Sequence, residues 1–236
     1  MPKYYCKYCN FRTVRENRIK NHLLENHNYK TINTKYYNIP ENIDEIINEI
    51  NLHDFLKKYE NKEIIYIPNP GNAGDCLIVL GFFTLLDDIN ITVEIGDPLK
   101  KYYNKILFYA GGGNLIGLYQ NCKRFMNNNL HNNNEIIILP HTIKDENILI
   151  ENLDNNTKII CRDKQSYKFV YDHIKNKRNV FLSKDTAFYI KNLEKYKNKK
   201  NNNKILNCFR TDDEKTNIAI PKDNYDISKI ENGVYW

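Results

Sequence analysis

The sequence predicts an α/β protein in two parts: a Rossmann-like parallel sheet, preceded by a small N-terminal ββα unit. Three observations predict it. Short apolar runs alternate with helical patterns from about residue 60 onward, as in a parallel sheet with helices on both faces. Cysteines and histidines at metal-ligand spacing occur together in the first thirty residues. The charge divides at the same place, because residues 1–30 carry seven Lys or Arg against two Glu and so hold +5 of the formal +6. Any attraction to polyanions therefore belongs to the N-terminal segment.

With 236 residues the chain is long enough for one full domain and an appendage. It contains six cysteines and opens on the polar run Met-Pro-Lys-Tyr-Tyr-Cys, which predicts a reducing, cytoplasmic setting with no secretory leader. Lys, Asn and Asp interrupt every hydrophobic run before it reaches the eighteen or so apolar residues of a membrane span. The tracts Asn127 to Asn129, Asn132 to Asn134 and Lys197 to Lys204 read as surface loops.

The N-terminal unit has the spacing C-x2-C-x12-H-x4-H, through Cys6, Cys9, His22 and His27. A turn presenting two thiolates and a helix presenting two imidazoles about one turn apart suit one tetrahedral Zn2+ in a C2H2-type zinc finger. Tyr4, Phe11 and Ile19 supply the apolar residues for packing beneath the metal. So short a unit cannot fold on apolar burial alone; zinc would contribute on the order of ten kcal/mol. If its helix entered a DNA major groove, Arg15, Arg18 and Asn21 would fall at the three base-reading positions. One finger reads only about three base pairs, so protein contact and a structural role remain open beside nucleic acid.

Residues 28–40 read as a polar linker, and Glu41 to Tyr59 as an amphipathic helix carrying Ile43, Ile46, Ile47, Ile50 and Phe55 near one face. Strands follow at 63–67, 91–95, 106–110, 135–139, 158–161, 180–182 and 204–208, with helices over 75–86 and 165–174. The predicted division is a finger over 1–30, linker and helix over 31–60, a Rossmann-like domain over 61–203, and a further segment over 204–236.

Ligands on such sheets gather at the carboxyl ends of the strands. Gly71-Asn72-Ala73-Gly74-Asp75 follows the first strand, with glycines for close approach and helix-start amides suited to a phosphate or carboxylate. Gly111-Gly112-Gly113-Asn114 follows the third and reads as a second open loop. Pro140-His141-Thr142, Arg162-Asp163 and Asp185-Thr186-Ala187 follow later strands at the same edge. Arg162 is the natural anion ligand, since its planar fork binds phosphate or carboxylate bidentately. His141 is either a proton donor or acceptor near neutral pH or, as a lone histidine more often is, a structural hydrogen-bonder.

In order, Gly-Asn-Ala-Gly-Asp (71–75), Gly-Gly-Gly-Asn (111–114), Leu-Pro-His-Thr-Ile (139–143), Cys-Arg-Asp-Lys-Gln-Ser-Tyr (161–167) and Lys-Asp-Thr-Ala-Phe (184–188) resemble the polysaccharide pyruvyltransferase family over about residues 60–215. The resemblance implies the first half of a GT-B-like fold. It implies transfer of a pyruvyl group from phosphoenolpyruvate to a terminal sugar of a polysaccharide, as a ketal. Arg162 and His141 would then be catalytic, while Gly71, Asn72, Gly74, Asp75, Gly112, Gly113, Asn114 and Asp163 would bind substrate. Phe209 to Thr216 resembles the stretch that enters the family's second domain, and the short remainder predicts a truncated one. The competing expectation is a catalytically inactive zinc-finger protein that contacts nucleic acid or protein.

Overall fold

The computed structural model describes residues 4–6, 12–13, 37–38, 47–191, 207–211, 215 and 217–226. They divide between two compact units, Met1–Ile47 and Asn48–Trp236.

In the first unit β1 (Tyr4–Cys6) pairs antiparallel with β2 (Arg12–Thr13), Tyr5 opposite Arg12. This hairpin is the arrangement expected of the first half of a ββα unit. On its other side β1 pairs antiparallel with β3 (Tyr37–Asn38), so part of the expected linker is a third strand. The side chain of Cys6, and Cys9, His22, His27, Arg15, Arg18 and Asn21, lie outside the described residues.

The second unit begins with an extended segment rather than a helix. Leu182 donates to Asn48 O at 2.9 Å and accepts from Ile50 N at 2.9 Å, so residues 48–50 run parallel to a sheet edge. Helix α1 (Leu52–Lys57) starts only after Asn51, whose side chain accepts from Asp54 N as its cap. The helix expected over 41–59 is thus shorter in its described part: isoleucine spacing favoured an earlier start, but edge pairing and the asparagine cap placed it later.

Thereafter the chain alternates: β4 (Ile64–Ile67), α2 (Ala73–Asp88), β5 (Glu94–Ile95), β6 (Ile106–Tyr109), β7 (Gly112–Leu115), α3 (Asn121–Asn129), β8 (Glu135–Ile143), α4 (Asn147–Glu151), β9 (Thr157–Cys161), α5 (Lys164–His173) and β10 (Val180–Leu182). A 3-10 turn spans Thr186–Tyr189. Every pairing in the seven-stranded sheet is parallel, in the order β10-β9-β8-β6-β4-β5, with β7 also against β8. Of the expected strand at 204–208, Asn207 forms one parallel bridge with Asn224.

The Gly111 to Asn114 stretch, expected as a loop, is largely strand β7. Tyr109 lies opposite Ile138 and Gly112 opposite His141, so β7 resumes the line of β6 in the same register after a break at Ala110 and Gly111. Gly112 has φ +140°, and a Cβ there would stand 2.7 Å from Asn69 Nδ2, so only glycine carries the strand past Asn69.

Strand β8 buries Ile136, Ile137, Ile138 and Leu139 completely, the continuous apolar run of a strand covered on both faces. One face of the sheet packs Phe108, Ile137 and Ile160 against Phe82 and Leu85 of α2 and Leu52 and Phe55 of α1. Tyr66 stacks on Phe82 with ring centroids 4.9 Å apart. Chain order β4-to-β6 reverses between those two strands: α2 leads outward to the edge strand β5, and the chain then crosses back to β6. A ligand crevice is expected outside the carboxyl ends at that reversal. Among the described residues no helix is long and apolar enough to cross a membrane.

Candidate functional site

A cleft of about 620 Å³ opens where the reversal predicts it. Its lining comes from the exits of β4, β7 and β9, the first turns of α2, the 3-10 turn at Thr186–Tyr189, and Arg210.

The β4 exit supplies Asn69, Gly71, Asn72, Gly74 and Asp75. Asn72 Oδ1 accepts from Gly74 N at 2.8 Å, and Asp75 Oδ2 accepts from Asn72 N at 2.9 Å, a reciprocal capping box. Those helix-start amides, expected to cradle an anion, are taken up by the loop itself. The Asp75 carboxylate already sits at the positive end of the α2 dipole. Gly71 is required here, since a Cβ would stand 1.9 Å from Asp75 Oδ2. This wall presents amides and a carboxylate, chemistry suited to hydroxyl groups.

The floor is a buried polar cluster. Asn114 Nδ2 donates to Tyr109 OH at 3.0 Å and to Asn69 Oδ1, while His141 Nε2 lies 2.9 Å from Asn114 Oδ1 and 3.2 Å from Asn114 N. His141 is fully buried; desolvation, then the nearby Arg162 charge, push its pKa down to about 3. It is neutral near pH 7 and does not line the cleft. The sequence predicted a strand end at Leu139 and a histidine in the loop beyond it. Because β8 continues to Ile143, His141 instead lies between β7 and β9, where it holds Asn114.

Arg162, at the end of β9, forms the cationic wall. Its Nε donates to Thr142 Oγ1 at 2.7 Å and its Nη1 pairs with Asp185 Oδ2 at 2.9 Å. Nη2 turns toward Gly113, lying 3.4 Å from where a Cβ on that residue would be. The guanidinium is thus clamped along two edges with a third toward the cleft. Asp185 is held in turn by Ala187 N at 2.9 Å. Asp163 faces away from the cleft: it caps α5 through Ser166 N at 2.7 Å and accepts from Thr142 Oγ1 at 3.2 Å.

The structure therefore brings Gly71, Asn72, Gly74, Asp75, Gly113, Asn114 and Arg162 together, while Gly112, His141 and Asp163 stand behind the lining. Asn69, Asp185, Phe188 and Arg210 also line the cleft. Asp185 was signalled by its place after β10. The others were not singled out as site residues, although Phe188 closes the Lys-Asp-Thr-Ala-Phe stretch and Arg210 lies in the stretch that resembles the entry to a second domain. Among the described residues no cluster of three or more His, Cys, Asp or Glu is arranged to hold a metal.

Residues 72–232 match the family model described as Polysaccharide pyruvyl transferase, a match that begins at the Asn72 cap of α2. A crystal structure from Klebsiella pneumoniae subsp. pneumoniae, of a protein titled as uncharacterized, is similar at TM-score 0.67 and 33% identity, over 78% of this chain and 70% of that one. None of the curated proteins compared matches this chain.

Proposed function

Because the chain belongs to the polysaccharide pyruvyl transferase family, we propose that it transfers a pyruvyl group from phosphoenolpyruvate to two hydroxyls of a terminal sugar on a glycan. The observation that carries this reading is the Arg162 guanidinium, held by Thr142 and Asp185 with its remaining edge toward a cleft at the sheet's switch point. A fork fixed on two sides suits a carboxylate or phosphate, because little side-chain freedom is lost when the anion arrives.

In the proposed reaction the enol methylene of phosphoenolpyruvate takes a proton and the adjacent carbon takes the first sugar oxygen. Phosphate then leaves with the C–O electron pair, and the second sugar oxygen closes the ketal on the same carbon. The two hydroxyl protons balance the new methyl C–H and the protonation of the released phosphate. Arg162 holds the donor's negative charge, and Asp75 is the base for an acceptor hydroxyl. Neutral, buried His141 keeps Asn114 and Asn69 in place and takes no proton from substrate. Incubation of the protein with phosphoenolpyruvate and a panel of oligosaccharides should yield a pyruvyl ketal by proton NMR, together with one inorganic phosphate per ketal. Phosphoenolpyruvate left intact with every acceptor would count against the enzymatic reading.

For the N-terminal unit we propose one structural Zn2+ on Cys6, Cys9, His22 and His27, with nucleic acid or protein as partner. The antiparallel β1–β2 hairpin supports it, since Cys6 closes β1 and Cys9 lies in the connection to β2. Bound zinc would supply folding free energy to this unit. Elemental analysis should find one zinc per chain and none after Cys6→Ser with Cys9→Ser; retention of zinc in that variant would assign the metal elsewhere.

A further inference from the structure

We propose that Phe188 is the stacking platform for the terminal pyranose of the acceptor glycan. This rests on the pyruvyl-transfer reading and adds to it the seat of the sugar ring. Phe188 lines the cleft yet is 78% exposed, the most exposed large apolar side chain among the described residues. It does not sit on a loose loop. Phe188 N donates to Asp185 O at 3.1 Å, Thr186 Oγ1 donates to Ile78 O at 2.7 Å, and Thr186 is fully buried. The turn rests so closely on α2 that a Cβ on Gly81 would stand 2.0 Å from Thr186 O. An exposed ring on a fixed support costs little ordering entropy when it is covered.

The same turn fixes the ring's distance from the donor. Asp185 opens the turn and clamps Arg162, while Phe188 stands three residues later, so donor anion and ring plane are registered through one short segment. The rest of the cleft has what a polyol requires: side-chain amides from Asn69, Asn72 and Asn121, with the Asp75 carboxylate. Amides and carboxylates hold hydroxyls, and the electron-rich ring face attracts the C–H face of a pyranose. An apolar ligand would strip water from those polar groups without replacing its hydrogen bonds.

The test is saturation-transfer NMR on the full chain with methyl β-D-galactopyranoside, methyl β-D-glucopyranoside and methyl α-D-mannopyranoside, alongside calorimetry with phosphoenolpyruvate. At least one sugar should bind, with saturation strongest at the C–H protons of one ring face. Phe188→Ala should weaken that sugar by roughly tenfold, the size of one aromatic contact, with phosphoenolpyruvate affinity unchanged. Phe188→Trp should retain sugar binding. Unchanged sugar affinity in Phe188→Ala, equal loss of both ligands, or no binding of any of the three sugars to wild type would overturn the proposal. Sugar binding lost in Phe188→Ala, in a protein that never binds phosphoenolpyruvate, would support the platform and remove the donor reading instead.

Discussion

Arg162→Ala is expected to weaken phosphoenolpyruvate binding by at least about 100-fold, since two charge-assisted hydrogen bonds at about 1.5–3 kcal/mol each would be lost. The side chain is about one-third exposed, so solvent screening holds the expectation to the lower end of that range. Arg162→Lys should recover little of the loss. Arginine meets Thr142, Asp185 and the cleft with three separate edges, whereas an ammonium is a single point charge drawn to Asp185. The deletion also leaves the Asp185 carboxylate without its cation, although Ala187 N still donates to it at 2.9 Å. Pairing Arg162→Ala with Asp185→Asn therefore separates loss of the anion seat from distortion of the turn. If the turn is the cause, the double variant binds better than the single one; if the seat is the cause, both bind equally poorly. Calorimetry gives the affinities, and unchanged affinity in Arg162→Ala would move the donor's charge to Arg210 on the same cleft.

The sheet was legible because parallel strands are buried on both faces and are written as apolar runs. Ile-Ile-Ile-Leu in β8 and Ile-Leu-Phe-Tyr in β6 are short, apolar and rich in β-branched and aromatic residues, as buried strands are. Strand β7 was not legible: Gly-Gly-Asn-Leu has no strand propensity, and it pairs because β8 extends four residues beyond its apolar run and offers it an edge. Helix α3 was hidden by Asn127, Asn128 and Asn129, which read as loop, although Cys122, Phe125 and Met126 bury one face. At the site, the strand-end rule pointed to the edge of the sheet where the cleft lies and to Gly71, Asn72, Gly74, Asp75, Gly113, Asn114 and Arg162 in its lining. It could not show that Asp75 would take up its own loop's amide. Nor could it show that Asp185, 23 residues after Arg162, would clamp it, since pairings of that range depend on how the elements stack. The same blindness affected His141, whose residue type did not show that it would lie fully buried between β7 and β9.

That depth has a measurable consequence in acid. The imidazole titrates at an ordinary 6.5 in the unfolded chain and at about 3 in the folded one. Between those values the unfolded state binds one more proton, so stability falls as pH falls. The contribution of a neutral His141 is fully present above about pH 6.5 and is lost as pH drops toward 3, at a limiting slope of about 1.4 kcal/mol per pH unit. Carboxylates that lose partners in acid add slopes of the same sign, so the wild-type curve alone does not isolate the histidine; a variant does. His141→Gln keeps an amide group within reach of Asn114 but cannot charge in this range. It should be less stable than wild type at pH 7.5 through imperfect packing, yet lose stability less steeply between about pH 6 and pH 4, measured by urea unfolding at each pH. Parallel curves would assign the acid sensitivity to other groups. Where the slopes differ, cleft and core are coupled: charging His141 expels the group that positions Asn114, and with it the amide floor shared by Asn69. Ligand binding should then fall off in acid together with folding stability, and not with the titration of any group that touches substrate.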